Sequence, residues 1–144
     1  MRKRTIFLLI LVPVFASLLS CRPAAPLAPE EPQVVLLSPN NGEVRDAADV
    51  EVRIYVQHFQ IVPDTGQTNQ AGEGHVIYYL DAIAPLKSGV PATTVPHTFV
   101  VSDETSYTWQ RVPPGQHTFT VQLVNNDNTP LDQPVTVRAE VTLR

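Results

Sequence analysis

The last ten residues of the chain alternate without a break. Val135, Val137, Ala139, Val141 and Leu143 are apolar; Thr136, Arg138, Glu140, Thr142 and Arg144 are polar. Successive side chains of an extended chain point to opposite faces, so this period of two predicts a strand with one buried and one wet face. The pattern recurs. Val50, Val52, Ile54 and Val56 alternate with Glu51, Arg53, Tyr55 and Gln57, and Phe119, Val121 and Leu123 alternate with Thr118, Thr120 and Gln122. Further strands are expected at Val34–Leu37, His75–Asp81, Thr98–Val101 and Ser106–Gln110, separated by stretches rich in Pro, Gly, Asn and Asp. The 14 prolines oppose long helices, and no amphipathic helical run is present.

Roughly seven short strands in about 110 residues predict an all-β domain, an immunoglobulin-like antiparallel β-sandwich, with a small barrel as the competing closure. A Cys…Trp…Cys signature is absent, so the likeness is one of architecture. Trp109 is the expected core anchor, packing with Tyr107, Phe119 or Phe99.

The first 20 residues read differently. Arg2, Lys3 and Arg4 precede an almost wholly apolar run from Ile6 to Leu19, the pattern of a secretory signal peptide. The run is short for a membrane span, which takes about 20 apolar residues, and Pro13 interrupts it. It ends at Leu18-Leu19-Ser20-Cys21, which resembles a bacterial lipobox, although Leu19 is larger than the usual small residue there. Cys21 is the single cysteine, so no intrachain disulfide can form, and a lone thiol in an oxidising compartment suits a lipid attachment site. Two or three acyl chains at about 0.8 kcal/mol per buried CH₂ would anchor it firmly. Pro23, Pro26, Pro29 and Pro32 then recur every third residue, the repeat of a polyproline II rod. Residues 21–32 are therefore read as a tether with a reach on the order of 35 Å, and residues 33–144 as the folded domain.

Without the three leader cations the chain carries 7 basic and 14 acidic residues, a net charge of −7, which disfavours nucleic acid and an electrostatic grip on anionic lipid. The expected partners are a membrane, through lipid on Cys21, and a protein of the cell envelope. The expected location is the outer side of a cell membrane, or the outer membrane. Neither a nucleophile elbow, a phosphate-binding Gly-rich loop, a CxxC pair nor a paired-carboxylate motif occurs, so no enzyme and no cofactor is indicated. Asn125 to Asp132 holds acidic and amide side chains, but not with EF-hand spacing, and reads as a polar turn. The loops Pro63–Gly74 and Pro85–Pro96 are where a sandwich would bind a ligand, whose chemistry their small polar residues do not name.

Two segments carry a resemblance. Gly72-Glu73-Gly74-His75-Val76-Ile77-Tyr78-Tyr79-Leu80-Asp81 and Pro114-Gly115-Gln116-His117-Thr118-Phe119, followed by Asp127-Asn128-Thr129-Pro130, resemble an uncharacterised family of secreted bacterial domains. Its members show Gly-His-x-His ending in Leu-Asp, then Pro-Gly-x-His-Thr, then Asp-His-x-Pro. The resemblance implies fold and location; the family's function is not established. The second strand histidine of the family corresponds to Ile77 here, and the loop histidine to Asn128. Candidate binding or metal residues are thus His75, His117 and His97, with His58 beyond them. The alternative function is an extracytoplasmic copper-type metal-binding protein that uses His75 and His117, which could share an ion only if neighbouring strands bring them together. The structural alternative for His117 is a corner residue bonded to nearby backbone, and for His75 a strand-end residue bonded to a loop carbonyl.

Overall fold

The computed structural model describes residues 30–144 except 47 and 65. The leader, Cys21 and the tether as far as Pro29 lie outside the described residues. Among those described, nine strands and no helix occur. They are β1 (Gln33–Ser38), β2 (Glu43–Arg45), β3 (Val50–Gln57), β4 (Gln60–Ile61), β5 (Glu73–Leu80), β6 (Phe99–Ser102), β7 (Ser106–Trp109), β8 (Gly115–Val124) and β9 (Pro130–Leu143).

They form two sheets. The smaller has the order β1-β3-β7 and is antiparallel throughout. The larger has the order β2-β9-β8-β5-β4, with β6 on the β4 side of β5. Its centre is antiparallel, whereas β2 pairs in parallel with the end of β9, and β4 in parallel with the start of β5. The chain changes sheet between β1 and β2. There the Asn40-Asn41-Gly42 turn grips β9: the Gly42 N–H donates to Glu140 O at 2.7 Å, and Asn41 Oδ1 accepts from the Glu140 N–H at 2.9 Å. Gly42 has φ +79°, a region that side chains with a Cβ rarely adopt.

The period-two residues meet between the sheets. Val50, Val52 and Ile54 of β3 face Val76 and Tyr78 of β5, Phe119, Val121 and Leu123 of β8, and Val141 and Leu143 of β9. Trp109 closes this core and stands edge-on to Tyr107, with centroids 5.2 Å apart. Phe119 belongs to the same core, but Phe99 does not. Phe99 joins Ile77, Tyr79, Ala84, Ala92 and Val124 in a second cluster on the outer face of the larger sheet.

That second cluster exists because residues 81–98 fold back over β5. The Tyr79 hydroxyl donates to Ala92 O at 2.6 Å and lies 2.8 Å from Gln122 Oε1. Gln122 Nε2 donates to Pro85 O at 2.8 Å, and the Ala92 N–H to Asn128 O at 2.7 Å. β5 is therefore buried on both faces, as its unbroken Val76-Ile77-Tyr78-Tyr79 run requires. Burial raises both tyrosine hydroxyls well above the ordinary phenol range.

Candidate functional site

The two motif segments lie side by side, because β5 and β8 are antiparallel neighbours. Their register decides what the histidines can do. His75 sits opposite Val124, and Leu80 opposite Phe119. His117 is seven residues along β8 from Val124, so the two rings sit at opposite ends of the strand pair, roughly 23 Å apart at about 3.3 Å per residue. Although their strands are neighbours, one ion at a bond length near 2.1 Å cannot be shared. The condition for a joint His75–His117 site, that neighbouring strands bring the two rings together, is therefore not met. Among the described residues no group of three or more His, Cys, Asp or Glu side chains is placed to hold a metal.

At the first end, the Gly74-His75 segment meets the Asn125–Pro130 loop. His75 is fully buried. Its Nδ1 lies 2.6 Å from Val62 O and its Nε2 3.2 Å from Asn126 O, with the Asp64 carboxylate 3.6 Å from Nε2. The ring thus ties β5 to two loops, one on each side. Asn126 extends the network: its Nδ2 donates to Thr68 O and to Glu73 Oε1, at 3.0 and 2.9 Å. Asp127 caps the turn, accepting from Thr129 Oγ1 at 2.6 Å and the Thr129 N–H at 3.0 Å. Burial pushes the Asp127 carboxyl up, but hydrogen bonds from Thr129 and Asn69 outweigh it and hold the group below its ordinary value. Asn128 follows Asp127 in the same turn. It has φ +61° and uses its backbone rather than its side chain to bond Ala92 and Asn125.

At the second end, Leu80-Asp81 meets Pro114-Gly115-Gln116-His117-Thr118. The Asp81 N–H donates to Thr118 O, and Asp81 Oδ1 accepts from the Thr118 N–H at 2.8 Å. Asp81 Oδ2 pairs with His117 Nδ1, also at 2.8 Å. His117 Nε2 lies 2.8 Å from Pro113 O, four residues upstream. The imidazole, 8% exposed, therefore bridges the turn before β8 and the end of β5. Asp81 is the partner that residue patterning alone did not assign to His117, since 36 positions separate them. The sequence offers only a carboxylate, Asp81, at the end of an expected strand.

The other histidines take no part. His97 is exposed, with φ +72°, in the turn before β6. His58 is exposed beyond β3, and its Nδ1 pairs with Glu30 at 2.7 Å.

A groove of 880 Å³ is a feature that sequence reasoning missed. It runs between β1 and the first half of β9, over an apolar floor of Val34, Leu131, Pro134 and Val135. A smaller cleft of 350 Å³ lies on the outer face of the larger sheet, between the Asp81–Leu86 segment and the threonines of β8 and β9.

No family model matches the chain, and no curated protein matches it. A solved structure similar to it is that of an engineered protein, determined crystallographically at 1.98 Å. The two are 16% identical with a TM-score of 0.44, over 81% of this chain and 21% of that one, so this chain spans about a fifth of that protein's length.

Proposed function

We propose that this is a lipid-anchored protein of the bacterial cell envelope, carrying one immunoglobulin-like β-sandwich that works by binding or assembly rather than catalysis. The observation that carries the reading is the run of leader charges and apolar residues ending at the single cysteine, Cys21, with a three-residue proline repeat between it and the first strand. Pro32 immediately precedes β1, which agrees with a tether that stops where the sheets start.

The strand order supports the immunoglobulin-like assignment. β1, β3 and β7 correspond to strands A, B and E of such a sandwich, and β5, β8 and β9 to C, F and G. The His117 imidazole takes the place of the tyrosine that marks the start of strand F in many such domains, reaching a carbonyl a few residues upstream. Both buried histidines spend their ring nitrogens on carbonyl and carboxylate oxygens of the fold, a structural use that favours a binding module over a metal carrier.

Membrane partition tests the reading. The full chain expressed in a bacterial host with labelled palmitate is expected to carry label and enter the detergent phase. Cys21→Ser is expected to do neither. Equal partition of the two chains would refute the anchor.

A further inference from the structure

The open edges of the two sheets are not alike. Exposed strand edges are usually kept short or blunted with charge and proline. β4, β6 and β7 are two to four residues long. The free side of β9 carries Asp132, Pro134 and Arg138. β1 carries a register shift between Leu36 and Ser38, but neither brevity, charge nor proline guards the residues before it. Gln33-Val34-Val35-Leu36-Leu37-Ser38 holds neither charge, proline nor glycine, and it ends its sheet. Val34 and Leu36 pack inward, while Val35 and Leu37 on the outer face remain 47% and 53% exposed beside Tyr55. Such a strand, apolar on both faces, is built like β5, yet only β5 is covered.

The 880 Å³ groove lies along this edge, since Val34 and Val35, from opposite faces of β1, both line it. Across it stands the unpaired side of β9. The Glu140 N–H and carbonyl point to Asn41 and Gly42, away from β8. By strand alternation the backbone groups of Arg138 and Thr136 point the same way, and among the described residues no strand pairs with them. The rim is acidic: Glu31 and Asp132 line it, and no Lys or Arg does.

We infer that this groove takes an extended polypeptide segment of a partner, flanked by basic residues, which adds as a strand to the open edge of β1. Main-chain hydrogen bonds to β1 provide the affinity, alternate apolar side chains fill the Val34–Leu131–Val135 floor, and the flanking cations meet Glu31 and Asp132. A neutral or acidic segment lacks that last contact, and the net negative charge of the domain repels the acidic one at longer range. This rests on the reading of the domain as a binding module and names the class of partner.

The test uses the detergent-solubilised full chain and the probe acetyl-Lys-Val-Thr-Val-Thr-Val-Lys-amide, followed by amide NMR. Binding is expected to shift the amides of β1 and to protect those of Val34 and Leu36, which point away from β3. The same peptide with Glu for both lysines is expected to bind about ten-fold more weakly. A Glu31→Lys/Asp132→Lys chain, altered only at exposed positions, is expected to reverse that preference. Absence of binding, equal binding of both peptides, shifts confined to other strands, or pairing of two copies of the chain through β1 would each overturn the proposal. Failure here leaves the Cys21 partition result untouched, so the two readings fail separately.

Discussion

Replacing His117 with Ala removes both of its bonds, to Pro113 O and to Asp81 Oδ2. A net contribution of about 1 kcal/mol per hydrogen bond sets the loss near 2 kcal/mol. The penalty for stranding the partners is small, because Pro113 and Asp81 are exposed and water replaces the ring. For a domain of this size the loss corresponds to a drop in Tm of roughly 8–12 °C. Urea unfolding followed by fluorescence of Trp109, the single tryptophan, measures it, with an unchanged slope against urea. His75→Ala is expected to cost more, since its carbonyl partners Val62 and Asn126 are buried with it and are left bare. The double substitution carries the geometric claim. Sites at opposite ends of the strand pair share no partner, so the two losses are expected to add within about 0.5 kcal/mol. Micromolar Zn²⁺ is expected to leave the wild-type midpoint unchanged. A coupling well above 0.5 kcal/mol, or a Zn²⁺-induced rise in the midpoint that either substitution abolishes, would refute the separation of the two histidines.

Gly74→Ala is expected to destabilise by about 3 kcal/mol or more, because a Cβ there would lie 2.0 Å from Val124 O and 3.0 Å from the Phe59 ring, and backbone oxygen cannot step aside cheaply; urea unfolding measures the loss. Tyr79→Phe is expected to cost about 1–2 kcal/mol by freeing Ala92 O, and to raise amide exchange across residues 85–96 more than in β8. Asp127 has a folded value held below its unfolded one, so its contribution is complete above the ordinary value of 3.8 and is lost as pH falls through the lower folded value. Amide exchange of Thr129, read between pH 5 and 2.5, is expected to rise only below that ordinary value, and Asp127→Asn is expected to flatten the profile.

Period-two patterning makes β3 and β9 legible because each has one face on the core and one in water; β8 alternates as well, although Thr120 and Gln122 on its outer face are buried. It is blind to β2 and β4, which are three and two residues long and pair in parallel through turns. It also places the last strand late: Pro130 already pairs with Val124 across a register shift, inside a stretch whose Asn, Asp and Pro content reads as turn. β5 shows no alternation because residues 81–98 cover its outer face, a tertiary event that no local window contains. Strand membership of the motif histidines is readable, but their register is not. The partners of His75 are backbone carbonyls 13 and 51 positions away, which carry no side-chain signature. The open groove beside β1 depends on which strands end each sheet, so it emerges only from the assembled topology.

Intact mass spectrometry of the N-terminal peptide from protein extracted out of native membranes tests the central claim most directly. A first residue of Cys21 bearing a thioether-linked diacylglycerol, with or without a third acyl chain on its amine, is the predicted result. An unmodified chain starting at any other residue would contradict it.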